Sequence, residues 1–442
     1  METEGIFDFE TNGIEKGFSY PHQLAIGEID SKHVKVFNNR ILTYDLPNPR
    51  ALFATNMKWE KLLKGPSLYE VMPEMFSALD FDILWGWNVK YDSGVLEDGL
   101  FSIGYNPYIK KTDGTVICDA MSFTSLSSFL EPEKMKIPIN EKGKPTLKLE
   151  KVYIENFGED SNMNWHQADF DVEGTRKLLK KIEKEIPNLW NIRTQFFNKY
   201  SRQRILSEPK IYAYYLHFSR NINFMKPILQ REDGTGTFSV NLNKFGNKNS
   251  LTANDKKKLK EGKKPSWLAE HFKNMDYIIF DPESLKLDVD TYEPNDEILE
   301  EISDLISLKL AKPKVWKEPK LLEHQKFNFP IKEDKQSWDL FHKTQDWDEK
   351  VQIKFKDMRS KRIAQRLIYD NAPGSLDTQP YKVIEDYIKE RWLSEDPDVP
   401  WVTIPKALKE LEDIEKENGD EALPGYKDYL LNISKELKKE SQ

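Results

Sequence analysis

The stretch Ile6-Phe7-Asp8-Phe9-Glu10-Thr11-Asn12-Gly13 predicts a short, buried strand that ends in a turn. In a strand, residues i and i+2 point to the same side, so Asp8 and Glu10 are expected to project two carboxylates together. Phe7 and Phe9 would then point into a core on the other side. Two adjacent negative charges on an apolar strand are unfavourable unless a cation neutralises them, and hard oxygen ligands of this kind suit Mg²⁺ or Mn²⁺. Taken alone, such a pair is also common on surface strands.

Two later segments carry further candidate residues. The segment Gly86-Trp87-Asn88-Val89-Lys90-Tyr91-Asp92 follows an apolar strand predicted at residues 82–87, which places Asp92 just past a turn. The segment His166-Gln167-Ala168-Asp169-Phe170-Asp171 precedes an amphipathic helix. If that helix begins within the segment, Asp171 lies on its first turn and faces the sheet, while His166 lies on the preceding loop. Asp169 is interpreted as a helix N-terminal charge rather than a ligand.

Patterns along the chain predict three regions. Strands alternate with helical stripes in the first third, which predicts an α/β domain over residues 1–190. A small antiparallel β domain is predicted over residues 205–290, with strands near 211–218, 224–229, 237–242 and 276–280. From residue 296 to 442 the pattern is helical, and a C-terminal helical domain is expected there.

The charge balance constrains any polyanion partner. The 442 residues include 66 Lys and Arg against 74 Asp and Glu, a net charge of −8. An acidic chain needs a local basic patch or a metal-lined pocket to bind a polyanion. The lysine-rich segment 256–264 is a candidate, either as a solvated loop or as a contact to backbone phosphates. A second candidate is a broad basic helical face, either solvated or facing DNA, formed by Lys354, Lys356, Arg359, Lys361, Arg362 and Arg366.

Cysteine content and hydropathy indicate where in the cell the protein is expected. The one cysteine, Cys118, excludes a disulfide or a cysteine-based zinc site within the chain and fits a reducing cytosol, so a cytoplasmic location is expected. Nothing approaches the roughly 20 apolar residues that span a bilayer, so no membrane association is expected. The acidic N-terminus is not expected to act as a signal peptide.

Together, and in this order, the three acidic segments resemble the DEDD exonuclease superfamily in its histidine-bearing branch, DEDDh. That branch has an RNase H-like fold, a mixed sheet with flanking helices. The resemblance matches Asp8, Glu10, Asp92 and Asp171 to the four metal-site acids and His166 to the general base. The bacterial exonuclease I family is similar over residues 6–180, through segments 20–25, 46–49, 88–92, 105–108 and 144–150. It implies a nuclease domain, an SH3-like β domain and a C-terminal helical domain.

The resemblance implies a 3′→5′ exodeoxyribonuclease that degrades single-stranded DNA to 5′-mononucleotides. Two Mg²⁺ ions, replaceable by Mn²⁺, would lie between the carboxylates and the scissile phosphate, with Asp8 bridging both ions. Thr11, Asn88 and Tyr91 are candidates for contacting the terminal nucleotide, although packing or capping explains them equally well. A monomer is expected, and the family implies binding to the tail of single-stranded DNA-binding protein.

Other functions remain open from the sequence alone. A ribonuclease of the same branch would use the same acids, because nothing in these segments recognises the 2′-hydroxyl of RNA. A non-catalytic single-strand-binding protein with a decayed nuclease domain is a further alternative. The acids could also be surface residues without a shared role.

Overall fold

The computed structural model describes residues 2–161, 163–273, 278–313, 319–418 and 423–439. The described strands form two five-stranded sheets. The strands are β1 (Glu4–Thr11), β2 (Pro21–Glu28), β3 (Val34–Asn38), β4 (Ile83–Gly86), β5 (Val116–Asp119), β6 (Tyr212–Leu216), β7 (Asn221–Gln230), β8 (Gly236–Asn241), β9 (Leu268–Phe272) and β10 (Ile278–Phe280).

Helices flank the first sheet and make up most of the C-terminal region. They are α1 (Pro49–Thr55), α2 (Trp59–Leu62), α3 (Leu68–Ala78), α4 (Lys90–Ser102), α5 (Ile109–Thr112), α6 (Ala120–Leu130), α7 (Leu149–Phe157), α8 (Ala168–Glu185), α9 (Pro187–Trp190), α10 (Arg193–Phe197), α11 (Lys199–Ser207), α12 (Leu242–Phe245), α13 (Ala253–Lys260), α14 (Asp296–Ser307), α15 (Lys335–Lys343), α16 (Trp347–Val351), α17 (Met358–Asn371), α18 (Thr378–Leu393), α19 (Ile404–Asn418) and α20 (Tyr426–Lys439). Short 3₁₀ helices lie at Pro282–Leu285, Leu322–His324, Lys332–Asp334 and Pro373–Ser375.

The first sheet is mixed and has β1 at its centre, in the order β3-β2-β1-β4-β5. The chain runs antiparallel through β1, β2 and β3, whereas β4 and β5 are parallel to β1. Parallel neighbours need crossover connections, which the helical segments before β4 and β5 provide. The predicted α/β fold with a mixed sheet and flanking helices is confirmed.

Alternate residues of β1 belong to two different cores. Ile6 packs into a core shared with Val172 and Leu178 of α8, and Phe7 and Phe9 pack into a second core on the opposite face. The amphipathic helix predicted after His166 is confirmed as α8. It ends at Glu185, just before the proline that begins α9.

The second sheet is antiparallel throughout, in the order β10-β6-β7-β8-β9. Three predicted strands appear as β6, β7 and β8. The fourth predicted strand, at 276–280, corresponds to β10 (Ile278–Phe280). Its first two residues, Asp276 and Tyr277, lie outside the described residues. β9 was not predicted. The identity of this second sheet as an SH3-like domain stays a prediction.

The lysine-rich segment 256–264 was interpreted either as a solvated loop or as a contact to backbone phosphates. Its residues 256–260 lie in α13, so the loop interpretation is wrong for that part, and the phosphate contact stays a prediction. Thr252 caps this helix by accepting a hydrogen bond from the backbone N–H of Asp255. Lys256 pairs with Glu301 of α14 at 2.5 Å, so part of its charge is neutralised internally. Leu259, about one helical turn further along, is buried in a core with Phe238 of the second sheet and Ile302 of α14. The amphipathic pattern thus stabilises a helix where the charge run alone suggested a solvated loop.

The C-terminal region is helical, as predicted. Helices α15 and α17 cover the core that contains Phe7 and Phe9, and α19 and α20 pack on α1 and α2. Helix α14 packs against the second sheet instead, through Ile298 and Ile302. The division of the chain into domains stays a prediction. No helix in the described part of the chain has both the length and the apolar character needed to cross a membrane.

In the predicted basic face near α17, some of the charged groups are bound to other protein groups and the rest are exposed. Arg359 bonds to Asp357 and to the carbonyls of Gln325 and Phe327, and Arg366 bonds to Glu323 at 2.8 Å. These two arginines therefore hold the helix in place. The remaining members of the set are exposed: Lys354, Lys356, Lys361 and Arg362.

Candidate active site

Three carboxylates meet at the C-terminal end of the central strand. Asp8 and Glu10 extend from β1, and Asp171 lies on the first turn of α8, which covers the same face of the sheet. Each offers a carboxylate oxygen, and these oxygens all lie within 4.8 Å of one another. The three side chains are partly buried. The predicted convergence of these acids is therefore present, and the spacing is that of a group able to hold a cation.

Asp92 joins the group from α4, where it is 3% exposed. Its Oδ1 accepts a 3.1 Å hydrogen bond from the backbone N–H of Phe9. Pairing between β1 and β4 is described only as far as Ile6 and Trp85, so Phe9 lies beyond the parallel ladder. Asp92 supplies the acceptor that a buried backbone N–H requires. This bond fixes the fourth acid against the strand that carries the first two.

Burial and mutual repulsion shift the titration of all four acids. Burial, followed by the negative charges of Asp171 and Asp92, raises the pKa of Glu10 to about 8. Burial also raises the pKa of Asp92 and of Asp171, each to about 7. The pKa of Asp8 lies well above its ordinary value, through burial and then the charges of its three neighbours. A carboxyl group with so high a pKa is fully ionised at neutral pH only when a cation compensates its charge, so these residues fit a divalent metal site.

His166 lies on the loop two residues before α8, as predicted. Its backbone φ of 65° is in the left-handed region, and its side chain is exposed. Its backbone N–H donates a hydrogen bond to the carboxylate of Asp171, which lowers the pKa of that acid and ties the loop to the cluster.

His166 and Glu10 share the wall of a 490 Å³ cleft. The other residues of this wall are His22, Gln23, Asn38, Asn39, Thr55, Asn56, Met57, Lys58, Lys61, Leu62 and Gln167. Lys58 and Lys61 are exposed there, and neither has an ion-pair partner within the described ranges. The cleft thus places cationic groups beside the acidic cluster, a suitable arrangement for a phosphate. Sequence reasoning missed both lysines, because isolated lysines carry no positional signal.

The three candidate substrate-contacting residues differ in their surroundings. The hydroxyls of Thr11 and Tyr91 lie 2.6 Å apart, and both lie within hydrogen-bonding distance of the Gly13 carbonyl. These bonds brace the turn that follows β1, so packing accounts for both residues. Asn88 is exposed with a φ of 57° at the turn before α4. Contact with a nucleotide stays a prediction for all three.

Asp119 is a further acid that sequence reasoning missed. It ends β5, and its carboxylate accepts hydrogen bonds from the backbone N–H of Val89, at 3.4 Å, and from the Ser122 hydroxyl. Its charge also raises the pKa of Asp92. The signal was an acid at the end of an apolar strand, Val116-Ile117-Cys118-Asp119, which resembles the position of Asp92 after β4.

The fold and the site together define a class: an α/β protein with an RNase H-like mixed sheet and an acidic centre at the end of its middle strand. No family model matches the chain. By sequence, it is similar to the exodeoxyribonuclease I of Escherichia coli (strain K12), with 25% identity over 214 residues. That alignment covers 46% of this chain and 45% of the relative, so it spans less than half the length of the curated relative.

Structural similarity extends over the whole chain. E. coli exonuclease I in complex with a dT13 oligonucleotide superposes with a TM-score of 0.80 at 18% identity, covering 99% of this chain and 100% of that one. The zinc-bound form of its complex with single-stranded DNA gives 0.77 at 18% identity, covering 99% of each chain. A moderately thermophilic exonuclease I from Methylocaldum szegediense also gives 0.77, at 17% identity, covering 100% of this chain and 99% of that one. The chain therefore has the exonuclease I fold.

Proposed function

We propose that this chain is a metal-dependent 3′→5′ exonuclease that removes 5′-mononucleotides from single-stranded DNA. The observation that carries the proposal is the meeting of Asp8, Glu10 and Asp171 within 4.8 Å, with Asp92 fixed beside them. Support also comes from proteins of the same fold, whose solved structures include complexes with dA16 and dT13 oligonucleotides. A decayed nuclease is disfavoured because all four acids and the histidine occupy one site.

Asp8, Glu10 and Asp171 would hold one divalent ion, and Asp8 with Asp92 a second. We propose Mg²⁺ as the resident metal, since clustered carboxylates are the hard ligands it prefers. When bound, such ions polarise the phosphate and lower the pKa of coordinated water. The raised pKa values of Glu10, Asp92 and Asp171 support this assignment, because a cation removes the repulsion that opposes their ionisation.

His166 is proposed as the general base. It lies on a loop tied to Asp171 and faces the cleft that also contains Glu10, so its imidazole can reach a water molecule beside the cluster. The imidazole would take the proton of the water that attacks phosphorus. Lys58 and Lys61, on the same cleft, would attract the phosphate of the 3′-terminal nucleotide. Cleavage of the last phosphodiester bond then releases a 5′-mononucleotide.

The experiment compares matched oligonucleotides labelled at the 3′ or the 5′ end, as single-stranded DNA, duplex DNA and single-stranded RNA. With Mg²⁺, we expect the 3′ label to leave single-stranded DNA first as a mononucleotide, and a chelator to stop its release. Faster degradation of RNA would favour the ribonuclease alternative. Binding of the single strand without cleavage would favour a non-catalytic binding protein.

A monomeric state, a cytoplasmic location and an interaction with the tail of single-stranded DNA-binding protein are parts of the same proposal. Each rests on the resemblance to exonuclease I. Mass measurement in solution, cell fractionation and a titration with the tail peptide test them separately.

A further inference from the structure

The loop formed by residues 13–20 connects the catalytic end of β1 to β2, and it is fastened at its base. The amide oxygen of Asn12 accepts a 2.8 Å hydrogen bond from the backbone N–H of Tyr20, and the N–H of Asn12 returns a bond to the Tyr20 carbonyl. The hydroxyl of Ser19 donates to the Glu15 carbonyl at 2.9 Å. These bonds close the base of the loop directly beside Thr11, the last residue of β1.

A buried ion pair holds the middle of the loop. The backbone N–H of Gly17 donates a 2.8 Å hydrogen bond to Oδ2 of Asp98 on α4. The other oxygen of Asp98 accepts from the ammonium of Lys326, in the segment that leads into the C-terminal helices. Asp98 is 5% exposed and Lys326 is 7% exposed. Burying two charges is costly, and replacing such a pair with apolar residues is often neutral or stabilising. A contribution to stability therefore does not by itself explain this ion pair.

The C-terminal half also contacts the loop through aromatic side chains. His324 Nε2 lies 3.1 Å from the Lys16 carbonyl, and its ring meets the edge of Phe18 at 5.5 Å. Gly17 has a φ of 83°, and a Cβ added there would lie 2.6 Å from the His324 ring. Phe18 packs further against Trp401, at 5.7 Å between ring centroids. Elements from beyond residue 320 thus set the position of a loop that starts at the acidic cluster.

The fixed loop presents a small exposed tip. Ile14, Glu15 and Lys16 are exposed, and Ile14 is 82% exposed. Residues Ile14, Glu15 and Ser19 line both a 500 Å³ cavity that contains Asn88 and Tyr91 and a 680 Å³ cavity that contains Trp401. The tip is therefore a common wall between two cavities next to the catalytic end of β1. The tip is thus within reach of a strand that enters either cavity.

We propose that Asp98 is a positioning residue for the substrate: with Lys326, it holds the 13–20 loop so that its tip contacts the nucleotides next to the scissile phosphate. The C-terminal half thereby controls how tightly the single strand binds, although none of its described residues belongs to the acidic cluster. This inference rests on the proposed exonuclease function. A purely structural role would lower stability or turnover, whereas a positioning role raises the KM for single-stranded DNA.

The test compares two double variants with the wild type in kcat, KM and thermal stability. Asp98→Leu with Lys326→Met removes both charges together and leaves Gly17 N–H without its acceptor. Asp98→Asn with Lys326→Met also removes the charges but keeps an amide oxygen for Gly17. We expect KM to rise about tenfold in the leucine variant, with kcat changed less than about threefold, because one positioning hydrogen bond is lost. The asparagine variant should keep a KM close to that of the wild type.

Equal KM values in all three proteins, or a loss confined to kcat, would overturn the inference. If the leucine variant does not fold, the KM of His324→Ala tests whether the position of the loop matters. This variant removes the contacts to Lys16 and Phe18 without unpairing a buried charge. We expect a severalfold rise in KM for His324→Ala and none for His342→Ala, a histidine of the same half that stacks on Tyr105. An unchanged KM in His324→Ala overturns the inference. Inactivity of the wild type would refute the proposed function itself and would be seen before any variant is made.

Discussion

The backbone N–H of Phe9 donates a 3.1 Å hydrogen bond to Oδ1 of Asp92, which joins the central strand to the first turn of α4. Asp92 thus has two tasks: it is an acid of the cluster and the acceptor for a buried N–H beyond the β1–β4 ladder. A substitution can separate these tasks, since an amide oxygen still accepts a hydrogen bond but carries no charge.

We therefore expect Asp92→Asn and Asp92→Ala to lose nuclease activity to a similar degree but to differ in stability. The alanine variant leaves the Phe9 N–H unsatisfied, at a cost of about 1–3 kcal/mol in the free energy of unfolding. Denaturant unfolding of the metal-free proteins measures this difference. Equal stability of the two variants would mean that the bond contributes nothing to the fold.

Asp8→Asn should reduce release of mononucleotides from single-stranded DNA by about a thousandfold or more. The charges of all three other acids act on Asp8, and a bound metal would supply several kcal/mol of charge stabilisation, where each 1.36 kcal/mol is tenfold in rate. The metal-free variant should be at least as stable as the wild type, because one repelling charge is gone. Initial rates at saturating Mg²⁺ and thermal unfolding with chelator check both parts. An active Asp8→Asn enzyme would contradict the site.

His166→Ala should lower kcat by about 10²–10⁴, the usual contribution of a general base, while metal binding is retained. Calorimetric titration with Mn²⁺ measures the binding. His33→Ala is the matched control, because His33 is also an exposed histidine and lies next to the first sheet, directly before β3. A similar loss of rate in both variants would argue against a specific role for His166.

The metal-free protein should become less stable as the pH rises from about 4 to 8. Glu10, Asp92 and Asp171 have pKa values of about 7–8 in the folded state against ordinary values of 4.5 and 3.8, so the folded state binds more protons than the unfolded state in this window. The free energy of unfolding then decreases with pH. Mg²⁺ should reverse the loss at high pH by replacing those protons. Thermal unfolding at several pH values, with chelator or with Mg²⁺, measures the slope, and Asp8→Asn should flatten it.

Arg391→Met should destabilise the attachment of the C-terminal helices by about 3–5 kcal/mol, because it leaves the buried carboxylate of Asp45 without its charge partner. Arg391 of α18 is 2% exposed and bonds to Asp45, which lies in the segment between β3 and α1. The double variant Asp45→Asn with Arg391→Met should recover part of this loss. Denaturant unfolding of the three proteins tests the coupling, and equal losses in the single and double variants would contradict it.

Much of the half that contains the acidic cluster could be predicted from local patterns. Alternation in β1 places Asp8 and Glu10 on one face because the strand period is two, and this holds whatever the partner strands are. The amphipathic stripe of α8 likewise predicts that Asp171 lies on its first turn and His166 just before it. In such cases neighbours in sequence are neighbours in space, so a short stretch contains all the needed information.

Other features depend on contacts between distant parts of the chain, which no local pattern encodes. Residues 256–260 are helical, with Leu259 packed in the core of the second sheet and Lys256 paired with Glu301, although the charge run by itself suggested a solvated loop. Arg366 belongs to a buried pair with Glu323 instead of an open basic face.

The sequence by itself determined that Asp8 and Glu10 share one face of β1, because the side chains of a strand alternate with a period of two. The choice of Asp92, Asp171 and His166 as their partners came from the resemblance to the DEDDh branch. Only the tertiary structure decided that the four acids come within range of one another, since their raised pKa values arise from burial and proximity across β1, α4 and α8. It also decided that Asp98, Lys326 and His324 hold the loop beside them. Those residues come from segments more than 200 positions apart, and only folding brings their charges and backbone groups together.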